Sequence, residues 1–162
     1  MNSNFNKVIE FSKQFGVTFN DKPVKDIFDK DPKLVEYRMS LIREEKKELE
    51  EAVENKDYIA TIDALEDLLY VIYGALGSFG TDADKAFDIV HKSNMSKLCK
   101  NEEEAQQTVK WYEDNKDKLN YDSPCYRKSS DEKYYVVYNK STGKILKSIN
   151  YKVVDFSPLI EQ

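Results

Sequence analysis

The sequence predicts an all-α protein, a helical bundle of four to five helices that is followed by a small C-terminal β-hairpin. Two long stretches lack both glycine and proline, one between Pro32 and Gly74 and one between Gly80 and Pro124, and such stretches favour helices. Along most of the chain, apolar residues recur at the three- and four-residue spacing of an amphipathic helix. Residues typical of strands dominate only after Pro124.

The first two predicted helices have recognisable ends. One helix, with Phe5 and Val8 on its apolar side, ends at Gly16, which readily adopts a left-handed backbone conformation. After a loop of about fifteen residues, Asp31 is placed to cap a second helix that has Pro32 at its first position. The inward stripe of this helix consists of Leu34, Val35, Arg38, Leu41, Ile42, Leu49, Ala52 and Val53.

Three further helices are predicted. The third covers about residues 57–78 and is apolar on nearly every side between residues 65 and 76, so we expect it to be the most buried. The fourth follows a capping signature at Thr81 and Asp84. The fifth, at about residues 102–118, is more polar and is expected to contribute little to the core. The predicted inner face of the fourth helix carries Ala83, Phe87, Val90, Asn94 and Leu98.

The hairpin is predicted from two segments rich in β-forming residues, Tyr134 to Tyr138 and Lys144 to Ile149. The short connection between them contains Gly143, which suits a turn.

Composition excludes several classes of protein. The 162 residues suffice for about one domain, and a net charge of -5 provides no cationic surplus for nucleic acid or an anionic membrane. The only histidine, His91, makes a catalytic triad or a histidine-rich zinc site a poor expectation, and Cys99 and Cys125 are expected to be reduced thiols. We find no secretory signal and no apolar run long enough to span a membrane, so we expect a soluble, cytoplasmic protein.

Acidic residues occupy inward positions on the second and third predicted helices. Glu45 and Glu48 continue the apolar stripe of the second helix, and Asp63 and Asp67 share one side of the third. A tight turn at residues 55–57 would pack the two helices antiparallel, placing Glu45 level with Asp67 and Glu48 level with Asp63. Four carboxylates at one level form an oxygen-rich pocket that suits a hard divalent cation such as Mg²⁺.

A second interpretation of these acids stays open, namely that they are ordinary surface charges, because runs such as REEKKELEEA are common on solvated helices.

On the fourth helix, Asn94 and Lys97 lie on one side, where an amide and an ammonium group are able to bind a nucleotide and its phosphates. The alternative is a buried asparagine that fixes helix register and a lysine that extends its charge to water.

Several motifs resemble those of the all-α nucleoside triphosphate pyrophosphohydrolases, the MazG-type group that includes phosphoribosyl-ATP pyrophosphohydrolase and dimeric dUTPases. LIREEKKEL (residues 41–49) is similar to the first acidic element of the family, and DALEDLLYVIYG (residues 63–74) to the second. HKSNMSKL (residues 91–98), VIEFSKQFG near the start and TGKILKSINY (residues 142–151) also resemble family segments. The usual second motif is E-x-x-D, but Ala64 stands where its glutamate is expected, so Asp63 must substitute and Glu66 is a competing ligand.

The resemblance implies Mg²⁺-dependent hydrolysis of the bond between the α and β phosphates of a nucleoside triphosphate, yielding a nucleoside monophosphate and pyrophosphate. It implies that Glu45, Glu48, Asp63 and Asp67 hold Mg²⁺, with Mn²⁺ a possible substitute. It also implies that Glu44 or Glu45 activates the attacking water and that Asn94 and Lys97 bind the substrate. The domain division that follows is a pyrophosphohydrolase core at 1–100, an inserted helix and loop at 101–130, and the hairpin and tail at 131–162.

An acidic pocket between two helices leaves one side open, so we expect a homodimer or homotetramer. Two other functions remain open: a non-catalytic helical interaction module that binds a structural cation, and a hydrolase of another phosphate ester. The base and sugar of the substrate also remain open, as do house-cleaning of damaged nucleotides and control of nucleotide pools in viral or cellular replication.

Overall fold

A computed structural model describes residues 3–161 and confirms the predicted fold class. Within that range the chain forms seven helices and one antiparallel pair of strands. The elements are α1 Asn4–Phe15, α2 Ile27–Lys30, α3 Pro32–Glu54, α4 Tyr58–Ser78, α5 Ala83–Met95, α6 Glu102–Asp114, β1 Pro124–Lys128, β2 Tyr135–Asn139 and α7 Ser157–Ile160. No helix between residues 3 and 161 has the length and apolarity needed to cross a lipid bilayer.

The chain divides into two compact units. The first comprises Met1–Phe87 with Phe156–Gln162, and the second comprises Asp88–Asp155. The boundary therefore falls inside α5. The predicted division at residues 100 and 130 stays a prediction.

Two helix ends in the first unit, at Gly16 and Asp31, follow the predicted signals. Gly16 ends α1 with a φ of 65°, and the side chain of Asp31 accepts a hydrogen bond from the backbone N–H of Leu34 at the start of α3. Asp57 caps α4 by accepting from the N–H of Ala60. These caps satisfy N–H and C=O groups that a helix leaves unpaired at its ends.

Helices α3 and α4 pack against each other and are joined by a turn of three residues, which makes them antiparallel. The N–H of Asp57 donates to the carbonyl of Ala52, and Lys56 takes a φ of 57° in the turn. Small residues, among them Ala52 and Ala64, are buried on these helices and allow a close approach of the two backbones.

The expectation that the third predicted helix is the most buried is wrong for the single chain. The buried residues of α4 are Ala64, Gly74, Gly77 and Ser78. Its large apolar residues instead form an exposed stripe, with exposed fractions of 36–45%. This α4 stripe consists of Ile62, Leu65, Leu69 and Ile72.

Helix α5 differs from its prediction in its cap and in its inner face. Asp82, rather than Thr81, caps it by accepting from the N–H of Lys85 at 3.1 Å. Phe87 is 69% exposed and Asn94 is also exposed, contrary to the expectation for an inner face. The buried residues of α5 are Ala83, Ala86 and Ser93.

The core of the second unit depends on α6, which corrects the expectation of a small contribution. Ala105 and Tyr112 of α6 pack in one cluster with Cys99, Val137 and Leu146. Two polar residues of α6, Glu104 and Thr108, are also buried. Their hydrogen bonds make this burial tolerable: Oε1 of Glu104 accepts from the hydroxyl of Ser148, and the hydroxyl of Thr108 donates to the Glu104 carbonyl.

The hairpin exists, but its strands pair differently from the prediction. Strand β2 pairs with β1, which precedes it, and Tyr126 lies opposite Val137. The predicted partner at residues 144–149 forms only one bridge to β2, between Tyr138 and Ile145. This segment leaves the strand because Leu146 and Ser148 turn into the core against α6. The expected glycine turn is present, since Gly143 has a φ of 71°.

Candidate functional site

The α3–α4 pair brings the predicted acidic residues together in two neighbouring groups. Glu45 and Asp67 line one cavity of about 240 Å³. Glu48 and Asp63 line a second, nearer the turn, of about 380 Å³. These are the pairs that the antiparallel arrangement places at the same level of the two helices.

The carboxylates of this site act on one another through their negative charge. Burial raises the pKa of Glu45 above its ordinary value, and the charges of Asp67, Glu48, Glu44 and Asp63 raise it further. Among residues 3–161, no ion pair includes any of these five carboxylates. The carboxylates therefore lack an ion-pairing partner, a condition that favours the binding of a cation.

Lysines near these acids in sequence are engaged elsewhere. Lys46 pairs with Glu50 and Lys47 pairs with Glu51, each across one turn of α3. These two acids are thus ordinary surface partners of lysine.

The carboxylates are less buried than their inward positions predict. Glu45 is half-buried, whereas Glu48, Asp63 and Asp67 are exposed. Within residues 3–161, no three acidic, histidine or cysteine side chains converge closely enough to form a ready-made metal cluster. Like charges repel, and exposed side chains have the rotamer freedom to separate. The donor set nevertheless fits a hard divalent cation, because it consists of carboxylate oxygens with access to water.

Two residues at the edge of the motif are distinguished by the geometry. The charge of Asp63 contributes to the raised pKa of Glu45, and Asp63 lines the cavity nearer the turn together with Glu48. Glu66 is neither among the causes of that shift nor in the lining of that cavity. The arrangement therefore favours Asp63 over Glu66 as the substitute for the missing glutamate at Ala64. Glu44 is exposed and adds its charge to that of Glu45.

Asn94 and Lys97 lie in the second unit, whereas the four carboxylates lie in the first. The ammonium group of Lys97 donates a hydrogen bond of 2.8 Å to the side-chain oxygen of Asn94. The two residues thus form a polar pair at the C-terminal end of α5.

Sequence reasoning missed one charged residue of the site. Arg38 lines the same cavity as Glu45 and Asp67 and is only 5% exposed. The signal was present, because Arg38 stands in the inward stripe of the second predicted helix, where an arginine is unusual.

We expect Glu45→Gln to raise the melting temperature of the metal-free protein at pH 7, because the substitution removes a partly buried charge and its repulsion from the four neighbouring carboxylates. Because folding raises the pKa of Glu45, protonation of this carboxyl favours the folded state at pH values below its pKa in the unfolded chain, near 4.5. This contribution to stability is lost as the pH rises through the pKa of the folded state. The gain from glutamine should therefore be present at pH 7 and absent at pH 4. Thermal unfolding in EDTA, followed by circular dichroism at both pH values, measures it.

The control for this prediction is Glu50→Gln, which removes a carboxylate that pairs with Lys46. It should give no such gain at pH 7. Equal melting temperatures for Glu45→Gln and the wild type at pH 7 would show that the carboxylates do not repel one another appreciably.

Comparison with known proteins identifies the family. The profile of the phosphoribosyl-ATP pyrophosphohydrolase family matches residues 8–94, which is more than half of the chain and includes both acidic helices. A relative from Acanthamoeba polyphaga mimivirus, "Uncharacterized protein L479", is 29% identical in an alignment that covers 98% of this chain and 96% of the relative. The chain belongs to the phosphoribosyl-ATP pyrophosphohydrolase family, part of the MazG-like all-α nucleoside triphosphate pyrophosphohydrolase superfamily.

Proposed function

We propose that the protein is a Mg²⁺-dependent nucleoside triphosphate pyrophosphohydrolase, which cleaves the bond between the α and β phosphates to give a nucleoside monophosphate and pyrophosphate. Family membership supports pyrophosphohydrolase activity on nucleotide phosphates. The observation that carries the proposal is the group of carboxylates around Glu45, which form no ion pair among the described residues and lie on the α3–α4 pair inside the matched region.

In this proposal, Glu45, Glu48, Asp63 and Asp67 hold the metal, with Mn²⁺ as a substitute for Mg²⁺. Bound divalent cations neutralise phosphate charge and lower the pKa of a bound water. The carboxylates of α3 and α4 supply hard oxygen ligands from two rigid helices.

Glu44 and Glu45 are the proposed catalytic residues. Either carboxylate would orient the attacking water and accept its proton. Burial and the neighbouring carboxylates raise the pKa of Glu45, which favours this residue as a proton acceptor, since a base works best when its pKa approaches the working pH.

Asn94 and Lys97 are the proposed substrate-binding residues. The ammonium group of Lys97 would neutralise charge on the triphosphate, and the amide of Asn94 would hold the nucleotide. Their mutual hydrogen bond limits the conformations of the long lysine side chain before substrate binds.

The protein is further proposed to be a homodimer or homotetramer in which the α4 stripe is covered by another copy. Four large apolar residues in a row on one helix face are costly to leave in water.

We expect Leu69→Glu to convert the wild-type assembly into monomers, which sedimentation velocity measures. Because Leu69 is 45% exposed in the single chain, the substitution should not reduce the helical circular dichroism. A wild-type protein that sediments as a monomer would contradict this assembly.

A panel of canonical and modified nucleoside triphosphates, assayed with Mg²⁺, with Mn²⁺ and with EDTA, tests the activity. The expected products are the monophosphate and pyrophosphate, formed only with a divalent cation. Inorganic phosphate as the first product would instead indicate a different phosphate-ester hydrolase. Absence of any metal-dependent product would leave a non-catalytic interaction module.

A further inference from the structure

Arg38 is a buried cation that has no carboxylate partner among the described residues. Its Nε donates to the hydroxyl of Ser78 at 2.7 Å, and its Nη2 donates to the carbonyl of Thr18 at 3.3 Å. Both acceptors are neutral, and none of the ion pairs found between residues 3 and 161 includes this side chain. Burial lowers the pKa of Arg38, as expected for a charge withdrawn from water.

The guanidinium is also fixed in place. Ser78 is fully buried, and its hydroxyl lies 2.9 Å from the carbonyl oxygen of Thr18 and 3.0 Å from that of Gly74. A Cβ atom added to Gly74 would lie only 3.1 Å from Nη1 of Arg38, so the arginine occupies the space that this glycine leaves open. The hydrogen bond to Ser78 and the close approach to Gly74 both limit the movement of the N–H groups of Arg38.

Arginine carries five N–H donors and no acceptor. The described residues accept from two of them, which leaves donors for an occupant of the cavity that Arg38 lines. Glu45 and Asp67 line the same cavity, but among the described residues Arg38 bonds to Ser78 and Thr18 and forms no ion pair with either carboxylate. The guanidinium and the carboxylates are therefore separate polar groups in the lining of one cavity.

The remaining lining of this cavity suits a flat ring. Phe11, Tyr37 and Tyr70 contribute aromatic side chains, and Val8 and Leu41 contribute aliphatic ones. A volume of about 240 Å³ is below the roughly 300–1,000 Å³ of pockets that enclose a drug-sized molecule, so it matches part of a nucleotide rather than the whole. Aromatic side chains stack readily on nucleobases.

We propose that this cavity takes the nucleobase of the substrate and that Arg38 donates a hydrogen bond to a carbonyl oxygen on the base edge remote from the sugar. The inference rests on the proposed function, in which the phosphates bind the divalent cations that the carboxylates hold. The fixed N–H groups of Arg38 are able to donate to O4 of uracil or to O6 of hypoxanthine. Binding of cytosine or adenine is disfavoured, because each carries an amino group at the same position. Two donors would then face each other and both would stay unpaired.

Two pairs of substrates test this selectivity on the wild-type protein, dUTP against dCTP and dITP against dATP. Within each pair the triphosphate is identical, so the base edge alone differs. We expect kcat/KM for pyrophosphate release to be about 10- to 100-fold higher for the keto member of each pair, the range for one hydrogen bond from a charged donor.

The matched variants are Arg38→Met and Arg43→Met, which remove arginines from the same helix. In Arg38→Met, kcat/KM for the keto substrates should fall to that for their amino partners. Arg43 is exposed and pairs with Glu36, so Arg43→Met should keep the preference. Should Arg38→Met not fold after losing its bonds to Ser78 and Thr18, Arg38→Gln retains an N–H donor for this anchor and serves instead, with the preference reduced.

Failure of this inference is distinguishable from failure of the proposed function. Equal kcat/KM for both members of both pairs, or an unchanged preference in a folded Arg38 variant, overturns the role of Arg38 while pyrophosphate release from the substrates leaves the function standing. No pyrophosphate release from any of the four with Mg²⁺ overturns the inference, and it overturns the proposed function as well only if the wider panel of nucleoside triphosphates also gives none.

Discussion

Asp67→Asn is expected to lower kcat for Mg²⁺-dependent pyrophosphate release by at least about 100-fold, which is the loss typical of removing one group that stabilises charge in a transition state. Asp67 lies level with Glu45 across the α3–α4 pair, and the two line one cavity. Asparagine keeps the size and one oxygen but removes the charge that a hard cation requires. Glu48→Gln is expected to have a similar effect for the same reason. A coupled assay for pyrophosphate measures both variants.

The control is Glu50→Gln on the same helix. Glu50 pairs with Lys46 and adds no charge to the site, so its loss should leave turnover within about twofold of wild type, in line with the small energies of surface ion pairs. Helical circular dichroism should be unchanged in all three variants. Wild-type turnover in Asp67→Asn would remove this residue from the metal site.

Gly80→Ala is expected to lower the free energy of unfolding by about 2–4 kcal/mol, the range of substitutions that combine backbone strain with a steric clash. Gly80 follows α4 with a φ of 74°, a conformation that L-residues rarely adopt. An added Cβ would lie 1.8 Å from the carbonyl oxygen of Lys22, so the neighbouring loop must shift. That shift would disturb the hydrogen bonds from Asn20 to Gly77 and from Val24 to Phe79.

Gly16→Ala separates strain from clash. Gly16 also has a positive φ, of 65°, but no heavy atom of the described residues would lie within 4 Å of an added Cβ. It should therefore cost only the left-handed conformation, about 1 kcal/mol. Urea unfolding of both variants gives the comparison, and equal losses would show that the contact at Lys22 does not restrain the loop.

Local signals made much of the first unit predictable. The cap at Asp31 and the terminating Gly16 each act within one turn of their own helix, and the structure has both. The alignment of Glu45 with Asp67 also followed from local information, because a turn of known length fixes which residues of two antiparallel helices are level. The roles of these residues in metal binding remain proposals.

Features that depend on distant partners were not predictable. Strand β2 has two edges, and its own sequence does not say that residues 124–128 pair with it more extensively than residues 144–149. The polar composition of helix α6 argued against a place in the core. Its buried Glu104 is bonded to Ser148, 44 positions away, and the sequence of the helix does not reveal so distant a partner. The α4 stripe illustrates a third limit, since apolar periodicity does not distinguish a core within one chain from a surface for another.

The most direct test of the central claim is a crystal structure grown with Mg²⁺ and a nucleoside triphosphate analogue that cannot be cleaved between its α and β phosphates. We expect divalent cations between α3 and α4, contacted by phosphate oxygens and by the side chains of Glu45, Glu48, Asp63 and Asp67. Those four side chains directed into bulk solvent, with no cation beside them and the nucleotide bound elsewhere or absent, would contradict this claim.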